Sequence, residues 1–112
     1  MMLPEDGYLL RIFLGESDKH AGKPLYEWIV VRAKAQGLAG ATVLRGLMGY
    51  GAASRIHTAK IESLSDDLPI IVELVDTREK LEAFLPIIDA AILDGLATLE
   101  KVQIRFYRTR HT

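Results

Sequence analysis

Three arginines crowd the C-terminal stretch Arg105-Phe106-Tyr107-Arg108-Thr109-Arg110-His111, which contains no acid. Guanidinium groups bond phosphate oxygens two at a time, so a cluster of them suits a polyphosphate ligand. Interleaved aromatics are also a habit of single-strand nucleic-acid binders, but strand alternation puts Phe106 on a different face from Arg105 and Tyr107. The commonest meaning of such a stretch is a solvated strand end. A second feature is Gly46-Leu47-Met48-Gly49-Tyr50-Gly51, three glycines closing an apolar segment. It opens a loop and not a helix, so the dinucleotide fingerprint does not apply. It offers either backbone that can pass close to a ligand or a flexible exit from a strand.

Other constellations lead nowhere. His20, His57 and His111 fall on the first loop, a long central loop and the tail, with no helical i, i+4 pair and no carboxylate at ligand spacing. A metal site is not expected. Ser54, Ser63 and Ser65 lack a G-x-S-x-G elbow, and no base is placed beside them. Gly15-Glu16-Ser17-Asp18-Lys19-His20-Ala21-Gly22-Lys23-Pro24 imitates a phosphate loop, but the spacing between its glycines is too long and Pro24 replaces the required hydroxyl. It reads as an ordinary connection, although Lys23 at a helix N-terminus could assist an anion.

The totals narrow the classes. Fourteen Lys and Arg against fifteen Asp and Glu give a net charge of −1, which cannot supply the broad attraction that sequence-independent nucleic-acid binding needs. There is no Cys, so disulfides, thiolate metal sites and thiol catalysis are excluded together, and a reducing compartment is suited. The opening Met1-Met2-Leu3-Pro4-Glu5-Asp6 is acidic and lacks the apolar segment of a signal peptide or a membrane span. A cytoplasmic protein that is not membrane-embedded is expected. The 112 residues suit a single domain over 1–112.

The elements that must position these groups follow from periodicity. Tyr8–Leu14 is a short apolar run between glycines and reads as a strand. Pro24 suits a first helical position, and Leu25, Trp28, Ile29 and Ala33 recur at helical spacing up to Gln36, with Gly37 as the stop. Ala41–Met48 reads as a second strand. Gly51–Asp67 is weakly periodic and reads as loop, with a short extended piece at 56–61. Leu68–Val75 is a third strand, with Pro69 at its start where no ladder donor is missed.

Asp76 followed by Glu79 forms a capping box that opens a second helix over 77–93, bent at Pro86 and stopped by Gly95. Val102, Ile104 and Phe106 alternate with polar residues and predict a last strand over Lys101–Arg108. Strand, helix, strand, strand, helix, strand with right-handed crossovers gives an α+β, ferredoxin-like βαββαβ fold, its four-stranded antiparallel sheet carrying both helices on one face.

The strands carry apolar residues on both faces: Leu9 and Phe13 opposite Tyr8, Leu10, Ile12 and Leu14, and Ile71 and Val75 opposite Ile70, Val72 and Leu74. An uncovered apolar face is unusual in a monomer, so another subunit is expected to cover it. Central loops as long as Gly51–Asp67 are uncommon in compact domains and are usually functional or disordered.

The runs Gly37–Gly51, Ile56-His57 and Asp67–Glu73, together with Gly15–Asp18, Gly22–Tyr26 and Phe84-Leu85-Pro86, resemble the PII-like family catalogued as domain of unknown function 190. The similarity extends over nearly the whole chain. It implies a relative of the PII nitrogen-signalling proteins: a homotrimer that binds ATP, ADP or AMP in clefts between subunits and moves a long loop, the T-loop, against a target. That target is often a membrane transporter or an enzyme. Here the T-loop corresponds to about Gly49–Asp67, with Gly49 and Gly51 at its base and Arg55 and His57 as target-contacting residues. Gly95 stands near the family's phosphate-side loop, and Arg105 and Arg108 near its last-strand arginines. The uridylylated tyrosine of PII proteins has no counterpart, and their glycine- and lysine-rich phosphate loop is reduced to Asp94-Gly95-Leu96.

The resemblance implies a regulator and not an enzyme, with the nucleotide as ligand and no nucleic acid as partner. Two alternatives stay open: a small-molecule sensor of the amino-acid-binding type, and an enzyme or metal-handling protein on the same scaffold. The first would want a polar pocket without an arginine cluster, and the second an activated nucleophile or a set of metal ligands.

Overall fold

The structure, a computed structural model, describes residues 3–51, 57–58 and 67–110. Its elements run in the order β1 (Asp6–Gly15), β2 (Lys19–His20), β3 (Lys23–Pro24), α1 (Leu25–Ala35), β4 (Gly40–Arg45), β5 (Met48–Gly49), β6 (His57–Thr58), β7 (Pro69–Asp76), α2 (Arg78–Asp89) and β8 (Leu96–Gln103). The four long strands form one antiparallel sheet in the order β4-β7-β1-β8. This is the expected ferredoxin-like arrangement, accompanied by two small two-stranded ribbons, β2 with β3 and β5 with β6.

Register assigns the faces. Leu10 lies opposite Leu74 on one side and Leu99 on the other, and Ile12 opposite Val72 and Ala97. Directly opposed residues of an antiparallel pair share a face. Leu10, Ile12 and Leu14 of β1 and Ile70, Val72 and Leu74 of β7 are buried against Leu25, Ile29 and Ala33 of α1 and Leu81, Phe84 and Ile88 of α2. Each such side chain removed from water contributes roughly 1.5–3 kcal/mol, enough for this one layer to hold the helices on the sheet. Trp28, expected on the buried stripe of α1, is only partly buried.

Several boundaries differ from the periodicity. Pro24 precedes α1 instead of opening it, and Gly37, at φ +76°, ends the helix as expected. Left-handed backbone at Ala21 and Gly22 turns the first loop into the β2–β3 hairpin. β4 stops at Arg45, because the Gly46 N–H turns to donate to the Pro69 carbonyl at 2.7 Å.

Asp76 is not the cap of α2. It closes β7, and Thr77 is the cap, its hydroxyl accepting from the Lys80 N–H at 3.3 Å. α2 ends at Asp89 and not near Leu93, since the Ala91 and Ile92 N–H groups bond three residues back, to Ile88 and Asp89, in tightened turns. Gly95 therefore does not stop the helix.

The last strand is Leu96–Gln103 and not Lys101–Arg108, because pairing with β1 begins at Leu96 opposite Phe13 and ends at Gln103 opposite Asp6. Beyond it the Ile104 N–H donates to the Glu5 carbonyl at 2.7 Å, and the Ile104 side chain fills the space that a Cβ on Gly7 would need. The tail then passes the end of the sheet, where the Tyr107 hydroxyl donates to the Ala39 carbonyl at 2.7 Å. No helix among the described residues is long and apolar enough to cross a membrane.

The sheet face away from the helices is striped. One row across all four strands is apolar, Leu44, Ile71, Phe13 and Leu96. The next is polar, Thr42, Glu73, Arg11 and Thr98. The Arg11 Nε donates to Glu73 at 2.9 Å, and its Nη1 donates to Glu100. The bond to Glu73, with Glu100 adding to it against partial desolvation, raises the Arg11 pKa and keeps the side chain cationic. Leu44 and Leu96 are exposed, and Phe13 and Ile71 half-buried, in the chain by itself.

Candidate functional site

The apolar row runs into a cleft of about 380 Å³ at the end of the sheet where the long loop leaves and returns. Phe13, Leu14 and Gly15, the end of β1, form its floor with Pro69 and Ile71 from the start of β7. One wall is Gly46 and Met48–Gly51, the departing strand end. The other is Asp94, Gly95 and Leu96, the turn into β8.

Local sequence explains both walls. The Gly46 N–H bond to Pro69 and the Glu16 N–H bond to the Leu68 carbonyl, at 2.7 and 2.8 Å, pin the loop's two ends to one another and to the end of β1. At Gly95 a Cβ would stand 2.8 Å from the Phe13 carbonyl oxygen, so the turn lies directly on the β1 backbone only because glycine occupies it.

Carboxylates dominate the cleft's charge. Asp18, Asp67 and Asp94 line it, and no Lys, Arg or His does among the described residues. Two of the three have structural work: the Asp18 Oδ2 accepts from the Gly15 N–H at 3.0 Å, and the Asp67 Oδ1 accepts from the Ser17 N–H at 2.9 Å. The nearby Arg45 is paired with Glu16. The rest is apolar or aromatic, including Met48 and the exposed Tyr50. An apolar slot with carboxylate acceptors and glycine backbone suits a flat ring carrying N–H or hydroxyl donors.

The structure brings together three of the residues singled out in the sequence, Gly49, Gly51 and Gly95. The backbone of His57 pairs with that of Gly49 in the β5–β6 hairpin, which places it at the loop's base. Arg55 lies outside the described residues. Arg105 and Arg108 do not join the glycines: β8 separates them from Gly95, and its eight residues span roughly 26 Å. The Arg105 Nη1 donates to the Gln103 Oε1 at 3.1 Å, and the Arg108 guanidinium lies 4.5 Å from the Phe106 ring centre.

Asp18, Asp67 and Pro69 line the cleft as well; they lie in runs that carry the family resemblance but are not singled out by it as site residues. A further signal for Asp67 and Pro69 is their position where the long loop rejoins the sheet. No group of three or more His, Cys, Asp or Glu among the described residues could hold a metal ion. His20 instead packs edge-on against Trp28, with ring centres 4.4 Å apart.

Comparison with known proteins agrees with this architecture. Residues 7–104 match the family described as DUF190, uncharacterized ACR. A UPF0166 protein of Aquifex aeolicus is 44% identical over 96 residues, covering 86% of this chain and 90% of that protein. Another from Methanocaldococcus jannaschii is 40% identical over 78 residues, covering 70% and 71%. Among solved structures, CPII from Thiomonas intermedia K12, bound to ADP and bicarbonate, superposes with a TM-score of 0.66 at 18% identity, covering 88% of each chain. That protein is described as a nitrogen regulatory PII-like protein and was also solved with ADP, AMP and bicarbonate.

Proposed function

This chain belongs to the DUF190 family and has the PII-like fold, and we propose that it is a PII-like regulator whose homotrimer binds an adenine nucleotide in clefts between subunits. The observation that carries this reading is the cleft itself. Gly49, Gly51 and Gly95 meet there, at the base of the segment that would carry the output. In the proposed trimer the open sheet faces pack inward, covering the row Leu44, Ile71, Phe13 and Leu96.

The cleft's lack of cations among the described residues and the distance to Arg105 and Arg108 support a site completed by a neighbour. Arg105 and Arg108 of one subunit would meet phosphates held against the glycine turns of the next. Adenine would enter the apolar slot. Occupancy would bias the segment 49–67, whose Arg55 and His57 would engage a target, through its different affinity for the segment's two arrangements. The known binding of ADP and AMP by CPII supports the choice of ligand.

Calorimetry of the full chain with ATP, ADP and AMP tests this proposal. Saturable binding is expected, and no heat at millimolar nucleotide would remove it. The acidic lining favours one second reading, a sensor for a small ligand bearing an amine, such as an amino acid. Binding of such a ligand that is indifferent to Arg105 and Arg108 would select that reading.

A further inference from the structure

We infer that Asp94 sets the charge preference of the cleft, so that it takes adenine nucleotides with fewer phosphates in preference to the triphosphate. This inference rests on the nucleotide reading above and goes beyond it by naming the residue that ranks the ligands. Of the three carboxylates lining the cleft, Asp18 and Asp67 are engaged by backbone N–H groups. Asp94 is exposed and has no hydrogen-bond or ion-pair partner among the described residues.

It directly precedes Gly95, whose turn presents backbone to the same cleft. A bare carboxylate beside a backbone turn accepts bonds from ribose hydroxyls or ring amines and repels phosphate oxygens. Among the described residues nothing offsets it, since Arg45 is already paired with Glu16 and the described lining supplies no other cation. Arginines arriving from a neighbour would attract every nucleotide, while Asp94 opposes each additional phosphate charge. The outcome is a ranking in which AMP and ADP bind more tightly than ATP.

The test is calorimetry on the full-length protein with AMP, ADP and ATP, divalent cations chelated so that the phosphate charge is not neutralised. Wild type is expected to bind ATP most weakly. Asp94→Asn should raise ATP affinity relative to AMP by about threefold to tenfold, the effect of removing one unit charge several ångströms away in a partly solvated site. Added salt should shrink the wild-type gap. Glu82→Gln removes the same charge from the exposed face of α2 and should leave the ratio alone. If all three nucleotides bind and Asp94→Asn leaves their ratio unchanged, the inference is wrong while the nucleotide reading stands. If none binds to either protein, the nucleotide reading fails and takes the inference with it.

Discussion

Asp76 and Tyr107 hold Ala39 from opposite sides: the Asp76 Oδ2 accepts the Ala39 N–H at 2.8 Å, and the Tyr107 hydroxyl donates to the Ala39 carbonyl at 2.7 Å. Asp76 is fully buried at the end of β7, and Tyr107 lies on the tail beyond β8. One residue between α1 and β4 thus ties an inner strand of the sheet to the C-terminal segment that carries Arg105 and Arg108.

Removing the buried half of this clamp should be costly. Asp76→Ala strands the N–H groups of Ala39 and of Thr77, which donates to the Asp76 Oδ1 at 2.6 Å. Each unmet donor costs about 1–3 kcal/mol, so a loss of roughly 2–4 kcal/mol is expected in urea denaturation. Asp76→Asn retains an acceptor and should lose about half as much. Tyr107→Phe deletes an exposed bond of about 0.5–1.5 kcal/mol and should mainly loosen the tail.

Gly95→Ala addresses the cleft wall. The added Cβ would stand 2.8 Å from the Phe13 carbonyl, which is backbone and cannot rotate away. The turn must lift off β1, with an expected cost of about 1–3 kcal/mol and a matching loss of ligand binding. Thermal unfolding with and without nucleotide separates the two effects. A variant with wild-type stability and wild-type ligand-induced shift would show that the turn does not form the wall.

Much of this fold was legible because the chain's periods are clean where one face is buried. Leu10, Ile12 and Leu14, or Leu81, Phe84 and Ile88, declare their element by spacing alone. The last strand is displaced because Val102, Ile104 and Phe106 keep alternating up to and past the end of pairing, and the half-buried Ile104 side chain lies over Gly7 beyond the end of the ladder. Asp76 and Glu79 imitate a capping box, but the adjacent Thr77 takes that role, and the buried carboxylate serves the distant residue Ala39, which no local pattern can announce. The glycines of the cleft were visible as glycines. That Asp18 and Asp67 join them depends on contacts about fifty residues apart in sequence, such as Ser17 to Asp67.

The open sheet face carries its own prediction. Phe13 stands mid-row between Ile71 and Leu96. Phe13→Glu puts a charge into the apolar stripe without touching the layer packed on the helices. Sedimentation should then show a monomer where the proposed assembly predicts a trimer for the wild type, with the helical signal in circular dichroism retained. A wild-type chain that sediments as a monomer at micromolar concentration would remove the proposed assembly.

The tail arginines provide the sharpest division between readings. Arg105 and Arg108 are exposed and lie at the other end of β8 from Gly95, so within one chain their removal cannot alter the cleft wall directly. If a neighbour's arginines meet the phosphates, Arg105→Ala with Arg108→Ala should weaken nucleotide binding about tenfold to a hundredfold for each charge-assisted bond lost, the equivalent of roughly 1.5–3 kcal/mol. The oligomer and its unfolding midpoint without ligand should be unchanged, because neither side chain joins the core. The loss should fall on all three nucleotides, since each carries a phosphate for the guanidiniums to meet, and should leave the ranking set by Asp94 in place. Unchanged binding of all three nucleotides would place the arginines away from the phosphates. An amino-acid ligand whose binding survives both substitutions would favour the sensor reading.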